Sequence, residues 1–182
     1  MRIISGVLGG RQFDSLPGNR THPMSEKMRG ALFNTLGDIS GLSVLDAFAG
    51  SGALSFEAIS RGSAEVTAVE VDKSAHKTIK QNIQKLNLNS SHLLIRAIRA
   101  NVSGWSDKNS DEQFDLVFCD PPYDKLNLSL LQKLAKHVKP DGLMVLSWPG
   151  KLIAPELADL QTIKTQPHGD AQLIYYNKHV KT

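Results

Sequence analysis

Between residues 43 and 148 the chain alternates short apolar runs with longer segments whose apolar residues recur every three or four positions. Runs of the first kind suit strands buried on both faces, and segments of the second suit amphipathic helices. The expected strands are "SVLDAF" (43–48), "EVTAVEV" (65–71), "HLLIRAI" (92–98), "FDLVFCD" (114–120) and "LMVLSW" (143–148). Among the helical segments, "GALSFEAISRG" ends at Gly62, and "KSAHKTIKQNIQKLNL" carries Ala75, Ile79, Ile83 and Leu86 on one face. A third, "LSLLQKLAKHVKPDG", is expected to close at Pro140 and Gly142. Such alternation predicts an α/β fold, a mostly parallel sheet with helices on both faces.

The flanks extend this frame. "RIIS" and "RQFDSL" are strand-type runs around the turn-prone "GVLGG", so residues 1–20 are expected to form a β-ribbon or extended arm. "THPMSEKMRGALFNTLG" reads as a loop and then a helix, with Ser25 as N-cap and Gly37 as its stop. Met28, Leu32, Phe33 and Leu36 form that helix's apolar face. After Pro149 a short helix around "APELADL" is expected. "QTIKT" and "AQLIYYN", joined by the turn "PHGD", would then pair antiparallel at one sheet edge. That makes seven strands, mostly parallel, with one antiparallel edge strand. "SDKNSDEQ" (106–113) reads as a surface loop.

At 182 residues the chain fits one domain: a basic N-terminal extension and helix (1–40) on an α/β core (41–182). No apolar run approaches membrane-spanning length, and the first residues lack a secretory h-region. A single cysteine suits a reducing cytoplasm, and six scattered histidines predict no metal site. The net charge of +3 is localised. Residues 1–29 hold five basic residues against two acidic ones, whereas the remainder is balanced. Such a segment is either a contact for a polyanion such as nucleic acid or a solvated basic tail.

Three motifs sit at expected strand ends. In "VLDAFAGSGAL" (44–54) a strand enters a glycine turn that opens a helix, placing backbone N–H groups toward the crevice. Phe48, Ala49, Gly50, Ser51 and Gly52 would form a ligand cradle there, with Asp46 as acceptor for a cationic ligand. A plain structural turn fits as well; a nicotinamide site lacks the third glycine, since Ser55 follows Leu54. In "VEVD" (69–72) Glu70 is placed to accept ribose hydroxyls of a nucleotide-like cofactor, with Asp72 as the alternative. In "DPPY" (120–123) Pro121 and Pro122 fix an extended turn. That turn aims the Asp120 carboxylate and the Pro121 carbonyl as two acceptors, with Tyr123 as a flat face. The set suits a planar group bearing an amine.

Together "DAFAGSG" and "DPPY" resemble the class I S-adenosylmethionine-dependent methyltransferases of the amino-group type. Within that class the chain resembles the RsmD family, which methylates the exocyclic N2 of a guanine in small-subunit (16S) ribosomal RNA. Pro23, Arg29, "ALFN" (31–34), the opening "MRIISG" and the closing "HGDAQLIYY" carry this likeness. His22 and Met24 stand where the family has Arg and Thr, and Asn101 where related enzymes place an adenine-binding Asp. The resemblance implies a Rossmann-like fold, S-adenosyl-L-methionine as cofactor, and ribosomal RNA in an assembled small subunit as partner. It further implies RNA contacts from Arg2, Arg11, Arg20, His22 and Arg29, and an adenine contact from Asn101.

The mechanism it implies is in-line methyl transfer. Asp120 and the Pro121 carbonyl hold the amine, and Tyr123 stacks the flipped base. Competing readings are an amino-methyltransferase on adenine N6 in DNA or RNA, and a non-catalytic RNA-binding assembly factor. Cys119, Trp105 and Trp148 read as packing residues, and His168 as a turn residue.

Overall fold

Seven strands form one sheet in the computed structural model, which describes residues 1–16, 24–88, 94–123 and 127–178. They are β1 (Ser43–Asp46), β2 (Glu65–Glu70), β3 (Leu94–Arg99), β4 (Phe114–Cys119), β5 (Val138–Pro149), β6 (Gln161–His168) and β7 (Ala171–Asn177). The helices are α1 (Glu26–Leu36), α2 (Ala53–Ser60), α3 (Lys73–Lys85), α4 (Val102–Lys108) and α5 (Leu128–Ala135). The spatial order β3-β2-β1-β4-β5-β7-β6 starts centrally at β1, runs out to β3, and returns with β4 on the other side of β1. β1 to β5 all run parallel to one another. That reversal opens a crevice outside the carboxyl ends of β1 and β4, where ligands of such sheets bind.

Strand alternation divides the core into two layers. Val44, Leu116 and Phe118 join one cluster with α1, α2, α3 and the N-terminal residues Ile3, Leu8 and Phe13. Leu45, Val117 and Cys119 join the other, beneath α4 and α5, with Trp105, Leu131 and Leu134. Ser25 caps α1 by accepting from the Met28 N–H, and Gly37 ends it at φ 74°, both as expected. The seven-stranded sheet, its parallel majority and its antiparallel edge also match the expectation. β7 runs antiparallel to both β5 and β6 and lies between them.

The N-terminal ribbon is present as a short antiparallel pair: Arg2 bridges Gln12, Ile3 N–H donates to the Arg11 carbonyl and Phe13 N–H to the Met1 carbonyl, both at 2.9 Å, and its apolar residues pack inward. Phe13 meets Phe56 of α2 edge to face at 5.1 Å. Three local expectations are corrected. Part of the supposed 106–113 loop belongs to α4, which starts at Asn101: its side chain accepts from the N–H groups of Ser103 and Gly104. Pro140 and Gly142 do not close a helix; they lie in a bulge of β5, where the pairing with β4 jumps from Phe114↔Val138 to Leu116↔Leu143. Residues 154–160 are irregular, with Asp159 at φ 65° and the Pro155 carbonyl accepting from Tyr176 Oη at 2.9 Å.

Candidate active site

Three carboxylates gather at the crevice because three parallel strands end there. Asp46 closes β1, Glu70 closes β2, and Asp120 follows β4. Backbone bonds stitch the loops to neighbouring strands: Ala47 N–H to the Phe118 carbonyl and Ala49 N–H to the Val69 carbonyl, both at 3.0 Å.

Asp46 is fully buried, and one oxygen, Oδ2, accepts from Ser55 Oγ at 2.6 Å. Its Oδ1 has no hydrogen-bond partner among the described residues. Burial pushes this carboxyl up to about 7 against the Ser55 bond, with Asp120 and Glu70 adding to the rise. A buried acceptor left open is costly unless a donor or cation meets it. Gly50, at φ 53°, has open space where a Cβ would stand, so a ligand can lie against its backbone. Gly52 serves a different purpose: at φ 83°, a Cβ there would meet the Phe56 ring at 2.7 Å. Ser51 is buried, and Phe48 packs half-buried against the second core cluster.

Glu70 fixes this turn. Its Oε2 accepts from Gly50 N–H at 2.8 Å and its Oε1 from Asp72 N–H at 2.7 Å. Each oxygen keeps a lone pair, so the carboxylate arrives oriented for further donors. Asp72 is instead the N-cap of α3, accepting from Ala75 N–H. Asn101 is exposed at the next strand end, its side-chain oxygen engaged in the cap of α4.

On the β4 side Pro121 is buried while Pro122 is exposed. Tyr123 is 43% exposed, its hydroxyl 3.2 Å from Ser147 Oγ on β5. Burial raises the Asp120 carboxyl, and Ser147 offsets part of that rise. Burial first, then Asp120 and Asp46, push the Cys119 thiol well up, so it is a packing residue and not a thiolate nucleophile.

The basic residues separate. Arg2 is exposed and paired with Glu26 at 3.0 Å, and Arg11 is exposed. Arg20 and His22 lie outside the described residues. Arg29 is 0% exposed, which removes it from the RNA-contact set: its Nη2 donates to the Arg2 carbonyl at 2.7 Å, and its Nε lies 3.8 Å from Glu57. Glu57 also accepts from the N–H groups of Ile4 and Ser5 and from Arg61. Residues 1–16 and Arg29 therefore clamp α2 instead of standing free of it.

Sequence reasoning missed Ser55 and Ser147, the partners of Asp46 and Tyr123. Ser55 carried a signal, lying three residues after Gly52 on the opening turn of α2. Ser147 carried none inside an apolar run.

The chain matches the family model described as "Conserved hypothetical protein 95" over residues 1–177. It is 36% identical over 163 residues to "Ribosomal RNA small subunit methyltransferase D" of Buchnera aphidicola subsp. Acyrthosiphon pisum (strain APS), covering 85% of this chain and 82% of that protein. It is 32% identical over 143 residues to the protein of the same name in Escherichia coli (strain K12), covering 78% and 68%. The solved structure of yhhF from Escherichia coli superposes with TM-score 0.85 at 25% identity, covering 100% of this chain and 99% of that one.

Proposed function

The chain belongs to this family and is an S-adenosylmethionine-dependent class I methyltransferase of the RsmD type; from that premise we propose that it methylates the exocyclic N2 of a guanine in small-subunit ribosomal RNA, within an assembled particle. That it is a ribosomal RNA methyltransferase follows from its relatives' names, and guanine N2 is our reading of the site. The observation that carries this reading is the end of β4. There Asp120 and the rigid Pro121–Pro122 pair stand beside an exposed aromatic face.

The residues present fit the cofactor. The open oxygen of Asp46 and the clear side of Gly50 suit a cationic ligand lying along the glycine turn. Glu70, already oriented by two backbone donors, suits ribose hydroxyls. When bound, S-adenosylmethionine supplies an electrophilic methyl group on a sulfonium.

The rest is done by this chain. A guanine amine is a poor nucleophile because its lone pair is delocalised into the ring. Asp120 and the Pro121 carbonyl accept its two N–H bonds, which localises the lone pair on nitrogen. Burial raises the Asp120 carboxyl, which makes it the better acceptor for the proton the amine sheds. Tyr123 stacks the extruded base, its ring held by Ser147. Positioning and electrostatics then supply most of the acceleration.

The test is incubation with radiolabelled S-adenosylmethionine and small ribosomal subunits from cells lacking the modification, followed by nucleoside mapping. Label in N2-methylguanosine supports the reading. Label only in adenine, or transfer only to DNA, refutes it.

A further inference from the structure

β5 carries the chain past the catalytic loop: Leu146 pairs with Cys119, Ser147 touches Tyr123, and Trp148 and Pro149 end the strand. The segment that follows is held by side chains and backbone at several points. Gly150 N–H donates to the Asp170 carbonyl at 2.8 Å. Gln172 Nε2 donates to the carbonyls of Pro149 (2.9 Å) and Leu152 (2.7 Å), and Trp148 Nε1 to that of Ile153 (3.0 Å). The Tyr176 hydroxyl holds Pro155 just beyond.

This fixed turn presents apolar side chains to solvent. Leu152 is 54% exposed and Ile153 is 93% exposed, the largest exposure of any large apolar side chain among the described residues. An exposed isoleucine is unremarkable on a loose loop. On a turn pinned by Trp148 and Gln172 it is a preset apolar projection, at the carboxyl-end side of the sheet where the crevice lies and just after the strand that holds Tyr123. Lys151 precedes the pair, whereas the exposed acids nearby, Glu156 and Asp170, disfavour a phosphate track across the turn. The chemistry is therefore apolar contact with bases, with one cation for a phosphate.

We propose that Leu152 and Ile153 form a wedge that packs into the RNA stack next to the target, filling the space the target base vacates when it turns onto Tyr123. This rests on the base-flipping reading above. Apolar wedges of Leu and Ile hold nucleic acids open in this way, against an unstacking cost of about a few kcal/mol per step. The rigid turn lets the wedge act without first being ordered.

The test measures steady-state methylation of small subunits lacking the modification, with the mapped target replaced by 2-aminopurine in an RNA fragment to report unstacking. Ile153→Ala is expected to lower kcat/KM about tenfold, weaken the 2-aminopurine fluorescence rise on binding, and leave the salt dependence of binding unaltered. Ile153→Leu restores most of both readouts, whereas Ile153→Lys does not, which separates a wedge from a charge contact. Calorimetric S-adenosylmethionine affinity controls for folding, and Ile163→Ala, which trims a side chain 53% exposed on edge strand β6, gives the baseline for an unrelated surface change. If Ile153→Ala matches Ile163→Ala within twofold and the fluorescence rise persists, the wedge is wrong. If the wild-type protein methylates no guanine in the subunits, the functional reading falls and the wedge with it.

Discussion

Asp46 and Asp120 end adjacent parallel strands, and burial raises both carboxyls, yet they are built for different work. Asp46 is sealed, with Ser55 on one oxygen and none of the described residues on the other. Asp120 is only half-buried and is followed by two prolines and an exposed tyrosine. A closed acid with an open lone pair suits holding a cation, and an acid at a rigid rim suits handling a substrate proton. The lesson is that a strand-end position gives a carboxylate its place, while the next few residues decide its role.

The contrast breaks most visibly at Asp120. Asp120→Ala is expected to lower turnover on small subunits about a thousandfold while S-adenosylmethionine affinity by calorimetry changes less than about threefold. Undiminished turnover would remove the acid from the mechanism. Asp46→Ala should invert the pattern, raising the cofactor's dissociation constant roughly 10- to 100-fold through loss of a charge-assisted contact. An unchanged constant would mean that the open oxygen serves no ligand.

Protonation sharpens the same pair. The folded chain holds Asp46 up at about 7, against 3.8 for an ordinary aspartate. Between those values the native state carries a proton that the unfolded chain has lost. Stability therefore falls as pH rises through that window, by at most about 1.4 kcal/mol per pH unit, and levels off above it. Cofactor affinity should move the opposite way, rising toward pH 7, because a cation favours the carboxylate. Denaturant titrations from pH 4 to 8 should show the stability slope flatten in Asp46→Asn; an identical slope in the variant assigns it elsewhere. The smallest effect concerns the surface. Neutralising Arg2 and Arg11 together should reduce the slope of log affinity for RNA against log salt by about two at most, whereas Arg29→Met should leave it alone and lower the melting temperature.

The parallel core and the place of all three motifs at strand ends were legible in the sequence because buried apolar runs, a glycine turn and a double proline each leave a local signal. The pairing of β6 and β7 was legible from its turn. Arg29 was not, because charge is visible in a sequence and burial is not: its place was set by Glu57, 28 positions along the chain. The α4 helix was hidden by polar composition, and its start rests on the capping bonds of Asn101, which an isolated asparagine does not announce. The segment at 154–160 failed in the opposite direction. It has helical apolar spacing, but Tyr176 and the left-handed Asp159 hold it irregular.

The insertion of β7 between β5 and β6 bears on how the protein is made. β6 has no hydrogen-bonded place in the sheet until the strand that follows it has threaded in beside β5. During synthesis, then, β5 waits with an open edge until the chain reaches Asn177, and Leu173, Ile174, Tyr175 and Tyr176 arrive together to cover both layers. A chain halted by a premature stop near residue 170 would lose two strands rather than one, and would offer β5 as an unpaired edge to its neighbours.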